Sequence, residues 1–555
     1  MKAGRYGRPW NRLHDVIPEV AAASLAIASV AFVTKGAFRL GFPVDDAWIH
    51  MVYGLALRNG EGLAYNTGAA ATGATSPLWA VVAAIAHVVT GSNGPSMRAA
   101  TGLKVFGVAL FVLDAVLASR LARACSPGRR WEPLAALAAG TIVAATPILA
   151  YAAASGMEVS LTSALLLGAL LTVARGWPRV AGLLAGLAAV ARPEGALAIP
   201  VVVVLSTVAV RAGDSKRAVL ARASEVVLVA IAPVVAIALR NWLVSSHPLP
   251  ATFYRKAHAG FGSAPLDLRM VFVEFLGALR PTSFWVLWVL VGASFVLAGT
   301  AVLRRRRCPR ATLRRLTAAA AGLLGVAYAA GIGLVTRLLA PGVFYFQRYV
   351  LPPVPLIIVS AVVAATWLLD SRFRSKSPGP WRGAARRAIR LGVVVAAIAC
   401  VTLEISGWAV EGAHYARDVR DIDAVQVAAG RFIAGALPAA GVVWSQDAGA
   451  IRYWGRRRTL DLNRLNTPEL FDGTAISATW APDAIIVAPA LYEVTGTTGL
   501  MSPVAVMRSV SDPSDGLGVQ MVLRCRANIR PEDANKVFVR HHGQMVAVGT
   551  CGLQG

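Results

Sequence analysis

Asp45-Asp46-Ala47-Trp48-Ile49-His50 follows directly on the first long apolar run of the chain. An acidic group costs about 2.5–3.5 kcal/mol at the centre of a membrane helix and less at the interface, so two adjacent carboxylates at such a boundary need a reason. Two readings are open. One carboxylate can act as a general base while its neighbour holds an acceptor or raises its pKa. Alternatively, Asp45 or Asp46 caps a helix beginning at Ala47, its oxygens taking the orphan N–H groups.

The surrounding composition decides the class of molecule. Of 555 residues, 56% are hydrophobic and only 15% charged, and mean hydropathy is +0.58. A soluble domain would carry about 25% charge, so long apolar runs mark a polytopic membrane protein. The net charge of +26 is not a nucleic-acid footprint. Its arginines cluster in short runs between apolar segments, the positive-inside pattern of cytoplasmic loops. The first apolar segment lacks a small-residue cleavage site, so no cleavable signal peptide is expected. The five cysteines form neither CxxC pairs nor metal-ligand spacing.

Charge then sets the topology. Lys2, Arg5, Arg8 and Arg12 keep the N-terminus cytoplasmic. A span over Ile17–Phe38 brings Asp45 and Asp46 outside, into a first outer loop over residues 39–97. The run Leu78–Val89 is short for a span, and crossing there would put the basic loop Arg120–Arg130 outside. It reads as an interfacial helix with Pro77 in its first turn. Ten further spans are expected: Arg98–Leu121, Leu134–Tyr151, Val159–Val173, Val180–Ala191, Ala196–Val210, Val226–Val244, Phe284–Val302, Leu316–Val335, Val350–Leu369 and Leu391–Trp408. The fold class is therefore mainly α, with about eleven transmembrane helices plus interfacial helices over residues 1–408 and a soluble extracytoplasmic α/β domain over 409–555. In that domain Asp418–Leu437 reads as an amphipathic helix. Gly441–Trp444, Thr459–Leu462, Ala484–Val487, Met521–Leu523, Val537–Val539 and Val546–Val548 read as strands. A Cys525–Cys551 disulfide suits the oxidising side, with Cys125, Cys308 and Cys400 as thiols.

The outer face collects acids, bases and aromatics that the inner loops lack: Asp45, Asp46, Arg58, Glu158, Arg192, Glu194, His247, Tyr254, Arg255, Lys256, Gln347 and Arg348. Cations beside aromatics at an interface suit a lipid phosphate. The plainer alternatives stay open: an Arg192–Glu194 pair at a helix turn, and interfacial anchors at residues 248–256 and 347–349.

Seven stretches carry a resemblance: DDAWIHMVYGLALRNGEGLAYNTG (45–68), GATSPLW (73–79), SGME (155–158), GLLAGLAAVARPEG (182–195), HPLPATFYRKA (247–257), QRYVLPPVP (347–355) and WSQDAGAIRYWGRRRTLDL (444–462). The chain resembles the membrane-embedded GT-C glycosyltransferases, in the branch that includes the mycobacterial terminal arabinofuranosyltransferase. The resemblance implies a polyprenyl-phosphate sugar donor, an envelope glycan or glycoconjugate acceptor, and chemistry at the outer face of a bacterial inner membrane. It implies Asp45 as the catalytic base and Asp46 as its partner. Arg192, Tyr254, Lys256 and Arg348 become candidates for the donor phosphate, and Arg58, Glu158, Glu194 and His247 for sugar or acceptor. No cofactor is assigned with certainty, and the dicarboxylate at Asp45/Asp46 can hold a Ca²⁺ or Mg²⁺ ion. Two alternatives to an arabinofuranosyl transferase remain: a transporter or flippase of lipid-linked sugars, and a mannosyl-type transferase acting on protein or lipid. The absence of an internal repeat and the one-sided polar residues argue against transport.

Overall fold

The computed structural model describes residues 10–208, 215–258, 290–296, 299, 309–339, 348–373, 382–463, 465–467 and 482–487, together with strands at 493–495, 501–508, 519–525, 537–541 and 544–548. Helix α1 covers Trp10–Val33. After a turn the chain starts α2, Asp45–Arg58, with both aspartates in its first turn and Arg58 in its last. That arrangement suits the helix dipole at each end. A β1–β2 hairpin, Ala64–Asn66 and Ala69–Ala70, follows. Then comes α3, Pro77–Val89, capped by the Ser76 side chain with Pro77 at its first position. Its 13 residues rise only about 20 Å, too little for the hydrocarbon core, as the interfacial reading of Leu78–Val89 requires.

Helix α4 is long, Met97–Cys125, and runs back across the bundle beside α1. The expected span Leu134–Tyr151 is not one straight helix. It divides into α5, Glu132–Ala145, and α6, Pro147–Ala153, which meet at 65°. Pro147 has no N–H to continue α5 and biases Thr146 toward extended backbone, where its ψ is 110°. Helices α7 (Val159–Ala174), α8 (Pro178–Ala191) and α9 (Ala198–Val208) are apolar but short. They are followed by α10, Lys216–Ser245, and α11, Ala251–His258. Later helices cover Pro309–Leu339, Val354–Phe373, Arg382–Ser406 and Trp408–Ile422.

Among the described residues, five helices are long and apolar enough to cross a membrane, or six with α5–α6 counted as one bent span. Eleven straight crossings are therefore not what the described helices present, because α7, α8 and α9 are shorter than a full span. Most of the expected span Phe284–Val302 lies outside the described residues.

The chain is helical from Trp408 through Ala436, passing through one π-helical turn at Asp423–Val427. It then forms a five-stranded sheet in the order β4-β3-β5-β8-β7. The interior strand β3, Val442–Ser445, is buried throughout and runs parallel to β4 (Arg458–Asp461) on one side and β5 (Ala484–Val487) on the other. Strands β7 (Met501–Arg508) and β8 (Val519–Cys525) extend it antiparallel, and β6 (Glu493–Thr495), β9 (Val537–His541) and β10 (Gln544–Val548) form a second small sheet. Sequence reading missed β6, Glu493–Thr495, and β7. Both are short of the alternation that marks a half-buried strand, and Pro503 interrupts the second.

This region is not a detached cap. Ala448, Ala450 and Tyr453 belong to the same apolar core as Trp48 of α2 and Trp79 of α3. Cys125 and Cys400 are thiols. The Cys525–Cys551 pairing and Cys308 lie outside the described side chains.

Candidate active site

Asp45 and Asp46 are consecutive on a helix, so their side chains diverge by about 100°. Each has a different partner. Asp45 turns to the C-terminal region. Its Oδ2 accepts from Gly449 N–H at 2.7 Å and its Oδ1 from Ala450 N–H at 2.7 Å. The cap expected on a helix beginning at Ala47 is not found, since α2 begins at Asp45 and has no side-chain cap; Asp45 instead holds the start of Ala450–Gly455. Burial and the nearby Asp447 push the Asp45 carboxyl well above its usual range, against the pull of the two amides.

The contact is built from both sides. Tyr65 donates to Ala448 O at 2.6 Å, and Arg452 Nε donates to Tyr65 O at 3.0 Å. Asn66 exchanges two hydrogen bonds of 2.9 Å with the backbone of Thr459. The Tyr453 hydroxyl accepts from Ser96 N–H at 2.9 Å.

Asp46 turns the other way and pairs with Arg348 Nη2. Its side chain is 38% exposed, whereas that of Arg348 is 6% exposed. Tyr349 lies between two guanidinium groups: Arg348 is 5.0 Å and Arg192 4.9 Å from its ring centroid. Behind them Arg192 Nη1 meets Glu158 Oε1 at 2.6 Å, and Arg192 Nε stands 3.5 Å from Glu194 Oε2. His50, one turn along α2 from Asp46, brings Nε2 to 3.3 Å from Glu158 Oε2. Glu158 sits in the turn ahead of α7. Burial alone would raise its pKa, but Arg192 and the His50 contact outweigh that and hold it at about 2.

The structure thus joins five residues singled out in sequence into one network, Asp46, Glu158, Arg192, Glu194 and Arg348, while Asp45 beside it faces the C-terminal region. Others stand apart from it. Arg58 is at the far end of α2, about 20 Å along the axis, and donates to Asn93 Oδ1 at 2.5 Å. His247 is exposed and stacks edge-on against Tyr254, with 4.8 Å between centroids. Close by in sequence, Ala251 N–H donates to Thr72 O at 3.0 Å. The Lys256 side chain and Gln347 lie outside the described residues.

Four residues escaped sequence reading. His50 and Tyr349 are adjacent to residues already chosen and carried no separate signal. Arg240 donates from α10 to Ala71 O and Leu63 O at 2.6 and 2.9 Å and fastens the hairpin of the first loop. Lys104 is fully buried in α4, and a cation inside an apolar span was the signal available for it. Among the described residues no three His, Cys, Asp or Glu side chains are grouped to hold a metal ion. Asp45 already has both oxygens engaged by backbone amides.

The chain is similar to ArnT from Cupriavidus metallidurans in its structure bound to undecaprenyl phosphate, with 15% identity, 94% of this chain and 98% of that one covered, and a TM-score of 0.54. It is also similar to the Archaeoglobus fulgidus oligosaccharyltransferase in its apo form: 12% identity, 88% and 70% covered, TM-score 0.55. For AglB from the same organism, in complex with an inhibitory peptide and a dolichol-phosphate, the values are 11%, 84% and 69%, and 0.51. These structural neighbours are GT-C glycosyltransferases, and the chain is similar to them in fold. At such identities the likeness speaks for the fold alone, and with the apolar helices it makes this a multi-pass membrane protein. Residues 415–513 match a family described as Domain of unknown function (DUF8728). No curated protein matches the chain.

Proposed function

We propose that this protein is a glycosyltransferase that takes a sugar from a polyprenyl-phosphate donor and passes it to an envelope glycan or glycoconjugate at the outer face of the bacterial inner membrane. The observation that carries this reading is the ion pair of Asp46, next to Asp45 on α2, with buried Arg348, which shares the Tyr349 ring with a second buried guanidinium, Arg192. Buried cations beside a carboxylate suit a reaction whose leaving group is a phosphate and whose nucleophile is a hydroxyl. The similar ArnT and AglB structures hold undecaprenyl phosphate and dolichol-phosphate respectively, which supports a lipid phosphate here.

The chemistry follows from that arrangement. An acceptor hydroxyl oxygen bonds to the anomeric carbon as the bond to the phosphate oxygen breaks. The electron pair leaves with the polyprenyl phosphate, and Arg348 and Arg192 stabilise its charge. The hydroxyl proton passes to a carboxylate of the aspartate pair. Glu158 and Glu194 keep Arg192 oriented from behind, with His50 bracing Glu158. The sugar is proposed as arabinofuranose on the motif resemblance, and an ion at the aspartates is not needed for these steps.

The test is transfer by purified full-length protein in nanodiscs, offered polyprenyl-phosphate arabinofuranose, mannose and glucose in parallel. Release of polyprenyl phosphate with one donor and an envelope glycan acceptor is expected. Failure with all donors and acceptors would sink the reading.

A further inference from the structure

We infer that the two aspartates have separate jobs: Asp46 is the base, and Asp45 is a positioning residue gripped by the C-terminal region, which makes Gly449 and Ala450 part of the active site. The inference rests on the transferase reading above and deepens it.

The division follows from where the oxygens go. Both oxygens of Asp45 accept short bonds from consecutive backbone amides, Gly449 and Ala450. A carboxylate so held is strongly oriented, since hydrogen bonds to charged groups contribute about 1.5–3 kcal/mol each. Both of its oxygens are committed to these amides, which leaves neither aimed at the cation cluster. Asp46 turns to the other side of α2. It faces Arg348 and is more than one third exposed, so it stands on the side of the cation cluster where a phosphate and an acceptor would meet.

The grip is also specific to glycine. A Cβ on Gly449 would overlap the Asp45 carbonyl oxygen and meet Oδ2 at 2.7 Å, closer than carbon and oxygen approach. Only a residue without a side chain lets the 448–450 backbone lie flat against Asp45. Four further contacts lock this placement: Tyr65 to Ala448, Arg452 to Tyr65, Asn66 to Thr459, and Tyr453 to Ser96. The C-terminal region therefore sets the angle at which the first turn of α2 presents Asp46. Gly449, 404 positions away from Asp45 in sequence, is thus built against the residue next to the base.

The experiment uses full-length protein in nanodiscs and two independent readouts. Amide hydrogen exchange at Gly449 and Ala450 needs no turnover. Exchange there should speed up at least tenfold in Asp45→Ala and stay at the wild-type rate in Asp46→Ala. Equal acceleration in both, or in neither, would overturn the assignment whether or not a donor is known. With an active donor, Asp46→Asn should lose about 10²–10⁴-fold in kcat while retaining polyprenyl phosphate binding. Asp46→Gly should regain activity with added formate. Asp45→Asn and Gly449→Ala should each lose about ten- to a hundredfold in kcat, and the double variant no more than the worse single, because both act through one contact. Formate should not rescue Asp45→Gly. A larger loss in Asp45→Asn than in Asp46→Asn, or wild-type kcat in Gly449→Ala, would refute the proposal. No transfer by wild type from any donor would count against the transferase reading instead and leave the exchange result standing.

Discussion

Glu158 and Arg192 are 34 residues apart in sequence and meet at 2.6 Å in the buried layer behind the aspartate pair. Each is also held by a third group, His50 on the glutamate and Glu194 on the arginine. Removing one member of a buried pair strands the other charge, at about 3–5 kcal/mol, whereas replacing both by apolar groups can be nearly neutral. Glu158→Gln is therefore expected to lower the melting midpoint clearly, and Glu158→Leu/Arg192→Leu to recover much of it. The double variant should still lose polyprenyl phosphate binding, since the cation is gone. If it binds as wild type does, Arg192 is structural only. Because Glu158 ionises at about 2, its contribution is present above the ordinary carboxyl range and fades only as pH falls toward 2. This pair should not shape a neutral pH profile.

Lys104 makes a second prediction. It is fully buried, and Nζ donates to Phe38 O, Leu40 O and Gly41 O at 3.1, 3.1 and 2.6 Å. All three ammonium donors are spent on the link between α1 and α2. On the other face of that link, Gly41 N–H donates to Asp423 Oδ2 at 3.2 Å. Lys104 thus fixes the segment that ends at Asp45. Lys104→Met leaves three carbonyls without their donor and should cost about 3 kcal/mol. A displacement of the aspartates by about 1 Å should cost on the order of a hundredfold in kcat. Melting and turnover are measured together. Unchanged values of both would show that the link holds its place without the lysine.

Asp461 gives a pH dependence outside the membrane. Its oxygens accept from Asn463 N–H, Leu465 N–H and both nitrogens of Asn466. Burial nevertheless lifts its pKa from 3.8 to about 6, because the four donors offset only part of the desolvation. A raised folded-state pKa means that the stabilising proton is present below about 3.8 and lost as pH climbs to about 6. Across that window the folded C-terminal region should lose about 3 kcal/mol relative to an Asp461→Asn variant. Asn466 also accepts from the Tyr53 hydroxyl at 3.0 Å, so the first loop should loosen with it. Melting curves of both proteins from pH 4 to pH 7 are the measurement, and parallel curves would remove Asp461 as the cause.

How much of this was legible in sequence depended on whether a signal was local. The first apolar run, Ser76-Pro77 ahead of α3, and the strands at Val442, Arg458 and Ala484 are written in nearest-neighbour chemistry. Arginine clusters placed Glu158, Arg192 and Arg348 on one side, which is as close as charge bias can bring them. It could not say that Arg192 and Arg348 share Tyr349, or that Arg58 points away along α2. The bend at Thr146-Pro147 was readable from the proline and was smoothed over by a hydropathy run that did not weigh it. The Asp45 to Gly449 contact was out of reach: a glycine in a turn does not announce which distant carboxylate it admits.

The last prediction concerns competition for Arg348. In the resting protein its guanidinium pairs with Asp46, and the proposed donor phosphate needs the same cation. Arg348→Gln should weaken polyprenyl phosphate binding about ten- to a hundredfold, the range expected for losing one charged hydrogen-bond donor. Arg348→Lys should fall between, because an ammonium cannot present the guanidinium fork. Asp46→Asn should act in the opposite direction. It frees Arg348 from a full negative charge, so phosphate affinity should rise several-fold even as turnover collapses. Equilibrium binding of polyprenyl phosphate to the three purified variants reads this directly. Tighter binding together with lower kcat in Asp46→Asn is the signature of a base that the donor must displace before it can work. Weaker binding in that variant would mean that Asp46 orders Arg348 for the phosphate rather than competing with it.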